Sequence, residues 1–223
     1  VQSVFETGLR KLNWQDKSIL LAGRTDSGVH ASGQVAAFDL SWNHPPEALL
    51  RALNAVLPKD LAVRTITQCA DDFHPRFSAL NRSYRYKIDC DPARDPLRER
   101  YTWRIWPAPD FDLLRTAAND LIGTYDFAAF GGPTSPNGST VREVQQAKWY
   151  QEGNRLTFEV TANAFLYHMV RRSVFILVSI GQGKLEAGII SQVLQAPQGQ
   201  PMLQGLAPPQ GLALVDVSYR QDR

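Results

Sequence analysis

The chain has 223 residues, 43% of them apolar, enough for one large domain or two small ones with a buried core. Its formal charge of only +2 excludes a uniformly basic surface, so any site for a polyanion must come from local clustering. No apolar run approaches the ~20 residues of a membrane-crossing helix, no signal-peptide pattern opens the chain, and Cys69 and Cys90 form neither a CxxC pair nor a zinc spacing.

The two cysteines therefore read as reduced thiols of a cytosolic protein. The first residue is Val1 rather than Met, so the numbering is expected to start inside a longer protein. Val1, Val4, Phe5, Leu9 and Leu12 recur at helical spacing and predict an opening amphipathic helix. Ser18 to Ala22 and Gln34 to Leu40 read as strands, and Pro45 and Pro46 open a helix that runs through Leu57. Leu61 to Thr67 alternates apolar and polar residues, the pattern of a half-buried strand. Helix, strand, strand, helix, strand is the split βαββαβ unit without its first strand.

A second half follows the same pattern with one strand more. Ser83 to Ile88 and Tyr101 to Trp106 read as strands, and Asp110 caps a helix from Phe111 to Leu121. Glu143 to Tyr150 and Leu156 to Thr161 predict a hairpin turning at Glu152-Gly153-Asn154. An apolar helix is expected from Phe165 to Ile180, ending near Gly181 and Gly183, and a last strand from Ala213 to Tyr219. The expected fold class is α+β: two ferredoxin-like halves, 1–70 and 71–223, with mainly antiparallel sheets and an active-site cleft between them. Asp71 to Arg82, Gly131 to Thr140 and Ala196 to Gly211 resist regular structure and are candidate substrate loops.

The segment Gly23 to Phe38, GRTDSGVHASGQVAAF, sets Arg24 and Asp26 at the end of a predicted strand and runs through Gly28 and His30 into the next. In isolation, Asp26 before Ser27-Gly28 is a common turn former. A carboxylate held ionised by a guanidinium in a dry cleft instead serves as a nucleophile or a base. Gly28 and Gly33 allow a bend or a close approach of the backbone.

The run GRTDSGVHASGQV resembles the catalytic loop of the TruA family of tRNA pseudouridine synthases. FHPRFSA (Phe73 to Ala79), RSYRY (Arg82 to Tyr86), ANAFLYHMVR (Ala162 to Arg171) and GLAL (Gly211 to Leu214) follow in the family's order and span nearly the whole chain. The resemblance implies that Asp26 is the essential aspartate and Arg24 the arginine paired with it. It implies that Tyr84 is the active-site tyrosine and Arg171 a second arginine near the aspartate. A flat ring suits stacking on a pyrimidine, and its hydroxyl suits proton transfer. Arg172 has the reading of a solvated helix charge, since neighbours on a helix point about 100° apart.

His30 and His168 lack a second metal ligand at a recognised spacing and are expected to be structural or to contact substrate. Phe165 and Met169 read as core. Arg76, Arg82, Arg85 and Lys87, interleaved with Phe77, Tyr84 and Tyr86, suit phosphate contacts with base stacking. Arg94, Arg98, Arg100 and Arg104 form a second basic run, either an RNA contact or a solvated face.

The implied reaction is isomerisation of uridine to pseudouridine at positions 38 to 40 of the tRNA anticodon arm. It needs no metal and no redox cofactor. The implied partners are tRNA and, in a homodimer, a second copy of the chain. Members of the family begin with a strand and a YDG-containing segment ahead of the first helix, which is expected to precede Val1 in the natural protein. Two other readings compete: a non-catalytic tRNA-binding module or RNA chaperone, which has no need of Asp26, and a nucleoside hydrolase or glycosidase, which commonly wants a second carboxylate.

Overall fold

In the computed structural model, which describes residues 1–133, 135, 138–196 and 201–220, the fold is a mixture of helices with antiparallel and mixed sheets. Two compact units divide the chain: Val1–Arg24 with Val35–Ala79, and Thr25–Gln34 with Leu80–Arg223. The segment holding Asp26 thus groups with the second unit.

In the first unit, α1 (Gln2–Arg10) and α2 (Pro46–Val56) bury Phe5, Leu9, Leu49 and Leu53 with Trp14 and Ile19. Pro46 occupies the first helical turn, where its missing N–H costs nothing. Between the helices, β1 (Leu20–Leu21) pairs antiparallel with β3 (Ala36–Ala37), both far shorter than the strands expected there. The predicted strand at Leu61–Thr67 is absent. Its alternation does place Leu61 and Val63 against the core, where Ile66, out of that phase, also packs. A strand also needs a neighbour's backbone, and here the Asn54 side chain takes that place: Nδ2 donates to the Val63 carbonyl and Oδ1 accepts from the Val63 N–H, each at 2.8 Å.

The second unit is built on one sheet. It contains β2 (His30–Ala31), β4 (Ala79–Cys90, whose first residue belongs to the other unit), β5 (Trp103–Ile105) and β6 (Gly123–Asp126). β7 (Val141–Glu152), β8 (Arg155–Ala162) and β9 (Leu212–Tyr219) complete it. The order is β2-β9-β4-β8-β7-β6, with β5 also against β4. The β4, β8, β7 and β6 ladders are antiparallel; β2 with β9 and β4 with β5 are parallel.

One face of this sheet carries α3 (Phe111–Asn119) and α4 (Met169–Gly181), which bury Tyr86, Ile88, Phe158 and Val160 against Leu114, Val174 and Leu177. Asp110 caps α3 as expected, its carboxylate accepting the Leu113 N–H at 2.9 Å. The hairpin also turns where expected, with Glu152 opposite Arg155 and Gly153 at φ 59. Strands β2 and β6 and the short α5 (Ile189–Gln195) carry no sequence expectation. The helix expected from Phe165 starts only at Met169, because His168 adopts the left-handed conformation with φ 66. Of the candidate loops, Thr134, Pro136, Asn137 and 197–200 lie outside the described residues. Cys69 and Cys90 are free thiols, and no described helix is long and apolar enough to cross a membrane.

Candidate active site

The loop Thr25–Gln34 is stitched to the last strand. His30 and Ala31 pair with Ala213 and Leu214, and the N–H groups of Ser32 and Gly33 both donate to the Leu214 carbonyl, at 2.9 and 3.2 Å. Gly33 is required by this approach, since a Cβ there would lie 2.2 Å from the Val215 carbonyl oxygen. Upstream, Asp26 opens a turn in which its carbonyl accepts the Val29 N–H at 3.1 Å. Gly28 supplies φ 82 at the third position, the place where a type II turn needs a positive value. The turn is made by backbone, so the Asp26 side chain is left for other partners.

Those partners come from the start of α4. Arg171 Nη1 donates to Asp26 Oδ2 at 2.8 Å, while Arg171 Nε donates to the Ala207 carbonyl, also at 2.8 Å. The two bonds fix the guanidinium plane, and the Ala207 N–H in turn donates to the Arg171 carbonyl at 3.2 Å. His168 Nε2 lies 3.3 Å from the same Asp26 oxygen. His168, the left-handed residue just ahead of α4, and Arg171, in its first turn, thus reach one carboxylate oxygen. Burial pushes the His168 pKa below its ordinary value, the Asp26 carboxylate pulls it back up, and Arg171 and Arg172 push it down. Arg172 points elsewhere and donates through Nη1 to the Phe130 carbonyl at 2.8 Å. It is a structural clamp rather than a solvated charge.

Tyr84 lies on β4, half-buried, with Phe165 edge-on at 5.0 Å between ring centroids. Its phenol pKa is pushed up to about 12, chiefly by burial; Arg82 works against the rise and the Asp26 carboxylate adds to it. The hydroxyl is therefore held protonated within electrostatic range of the carboxylate. Tyr86, on the same strand, is fully buried and donates its hydroxyl to the Pro208 carbonyl at 2.7 Å. Met169 is buried as core and Phe165 packs partly buried against it.

The remaining sequence candidates lie as follows. His30 Nε2 is 3.0 Å from the Arg100 carbonyl oxygen, and its ring leans on Tyr101. Arg82 is buried and donates to the Asn163 carbonyl at 2.8 Å. Arg85 pairs with Glu159 directly across the β4–β8 ladder at 2.7 Å. Arg24 and Arg76 belong to the first unit, where both are exposed and the Arg76 guanidinium lies 5.7 Å from the Phe77 ring centroid.

The second basic run is largely neutralised from within. Arg94 and Arg104 share Glu99, at 2.6 and 3.5 Å, and Arg98 pairs with Asp95 at 3.1 Å. No group of acidic, histidine and cysteine residues able to hold a metal ion occurs among the described residues. What sequence reasoning missed are the carbonyls of Ala207 and Pro208, which hold Arg171 and Tyr86. A backbone acceptor in an irregular segment leaves no mark in composition or periodicity.

Asp26 thus meets a guanidinium braced on a backbone carbonyl, with the Tyr84 phenol in electrostatic range. Residues 1–78 and 117–220 match the family model described as tRNA pseudouridine synthase. The chain belongs to that family, whose members are isomerases acting on uridine in tRNA. It is 40% identical over 221 residues to tRNA pseudouridine synthase A of Myxococcus xanthus, covering 99% of this chain and 83% of that protein. The synthase of the same name from Limosilactobacillus fermentum is 37% identical, over 98% of this chain and 86% of its own length. That from Chloroflexus aurantiacus is 40% identical, over 98% and 80%.

Proposed function

We propose that the chain converts uridine to pseudouridine at positions 38 to 40 of the tRNA anticodon arm, with Asp26 as the nucleophile or base. The observation that carries this reading is the bond from Arg171 Nη1 to Asp26 Oδ2. It keeps one carboxylate oxygen occupied and leaves Oδ1 without a hydrogen bond to the described residues of its own unit. That oxygen is the one available to the sugar of a flipped nucleotide.

The glycosidic nitrogen–carbon bond breaks, the uracil turns, and carbon 5 joins the sugar; the carbon 5 proton is lost to solvent and the freed nitrogen takes one up. Asp26 supplies the anion beside the sugar and Arg171 holds it. Tyr84 stacks on the pyrimidine, and its protonated hydroxyl takes part in proton transfer as the bond re-forms. Arg24 supports Asp26 as the resemblance implies, and His30, Arg76, Arg82, Arg85 and His168 are proposed substrate contacts. The two ferredoxin-like halves, 1–70 and 71–223, a homodimer that shares the tRNA, and a cytoplasmic setting belong to the same proposal.

A non-catalytic RNA-binding module would have no need of a carboxylate at this position, since a carboxylate repels phosphate. The experiment is to map pseudouridine in unmodified tRNA treated with the protein. Modification at positions 38 to 40 is expected. Unmodified tRNA, or release of free uracil, would contradict the reading.

A further inference from the structure

Beside Asp26 stands a ring that the proposed reaction does not use. Tyr167 stacks on the neighbouring His168, with ring centroids 3.7 Å apart and planes 26° apart, and His168 lies 3.3 Å from Asp26 Oδ2. Tyr167 itself is 56% exposed, although Leu166 and Met169 on either side of the pair are buried. Two stacked rings thus lead from the carboxylate outward to solvent. His168 covers one face of Tyr167, and no other aromatic ring among the described residues stacks on it.

The backbone that carries the exposed ring is held in place. The Tyr167 N–H donates to the Gly132 carbonyl at 2.9 Å in an isolated antiparallel bridge. Gly131 has no room for a side chain, because a Cβ would come within 2.4 Å of the Tyr167 carbonyl oxygen. His168, at φ 66, then turns the chain sharply into α4. A tyrosine ring left largely in water on a fixed backbone, one ring removed from a half-buried carboxylate, gains little from the fold alone. Unpaired RNA bases are commonly held by such rings, because every base has a π face. Taking a nucleotide out of its stack also leaves its neighbours with an uncovered face.

We propose that Tyr167 is the stacking platform for the base next to the target uridine in the substrate RNA, holding that neighbour while the uridine enters beside Asp26. The inference rests on the reading of Asp26 as the reactive group. Tyr167 acts on binding, without base preference, and takes no part in bond breaking.

The test uses anticodon stem–loop RNAs carrying 2-aminopurine on the 5′ or the 3′ side of the target uridine, bound to the Asp26→Asn protein so that no turnover intervenes. Quenching is expected on one side, lost in Asp26→Asn/Tyr167→Leu and kept in Asp26→Asn/Tyr167→Trp. Leucine keeps apolar bulk without a π face, so it separates stacking from simple packing. In the otherwise unaltered protein, Tyr167→Leu should raise KM for tRNA about 10-fold and leave kcat within about 2-fold. Unchanged KM and unchanged quenching in the Tyr167→Leu proteins would overturn the proposal while leaving the reaction intact. Substantial turnover by Asp26→Asn alone would instead overturn the reading on which it rests.

Discussion

Arg171 and Asp26, 145 residues apart in the chain, meet at 2.8 Å with the guanidinium braced on the Ala207 carbonyl. A lysine at 171 would keep the charge but could not hold both acceptors in a fixed plane. Arg171→Lys should lower single-turnover pseudouridine formation about 100-fold while tRNA affinity in a filter-binding assay falls only about 2-fold. The side chains are 12% and 22% exposed, so solvent softens the loss. Chemical denaturation should show a cost on the order of 1–2 kcal/mol, below that of breaking a fully buried pair.

His168 makes stability depend on acid. Its pKa is lowered in the folded protein from the ordinary 6.5, so the unfolded chain takes up the proton first. Stability is therefore fully present above about pH 6.5 and is lost as pH falls towards the lowered value. Thermal unfolding followed from neutral to mildly acidic pH should show this loss. His168→Gln, which cannot titrate, should flatten it, and an unchanged profile in that variant would assign the acid sensitivity to other groups.

Tyr84 gives the opposite limb. Its phenol ionises near 10 in an unfolded chain but at about 12 in the fold. Between those values the unfolded state has lost a proton that the folded state keeps, so stability falls as pH rises through this window. Tyr84→Phe should reduce that fall, read by unfolding alongside tyrosinate absorbance. The same variant keeps the ring and removes the hydroxyl. Turnover at least 10-fold lower with tRNA binding retained is the expected result for a proton-transfer role; the wild-type rate would leave stacking alone.

Gly33 provides a backbone test. A Cβ would lie 2.2 Å from the Val215 carbonyl oxygen, so Gly33→Ala must push the Asp26 loop off β9. A cost of about 1–3 kcal/mol is expected in chemical denaturation, with kcat falling more than tRNA affinity. Gly132, where a Cβ meets nothing within 4 Å, is the control: Gly132→Ala should be nearly silent in both measurements.

Much of the second unit was legible because its signals are local. Asp110 before an amphipathic run specifies the start of α3, and alternating residues around Gly153-Asn154 specify the β7–β8 hairpin. Leu61–Thr67 shows the limit of that logic. Alternation decides which side chains are buried, but a strand also needs a partner, and Asn54 takes the place of one. β2 was invisible because two residues pairing in parallel with a strand near the other end of the chain have no local pattern. Charge was the least legible feature. Arg94, Arg98 and Arg104 read in sequence as either an RNA contact or a solvated face, and their pairing with Glu99 and Asp95 could not be told from composition. The carbonyls behind Arg171 and Tyr86 belong to the backbone, which no residue pattern announces.

In the proposed reaction Asp26 drives the isomerisation, and that role has a direct readout. It is tested most directly by tritium release from tRNA labelled at carbon 5 of uridine, measured for Asp26→Asn beside the unaltered protein. The amide preserves shape and cannot act as a nucleophile or base, so release should fall to background while tRNA binding stays within about 3-fold. Release by Asp26→Asn at a substantial fraction of the unaltered rate would contradict the account.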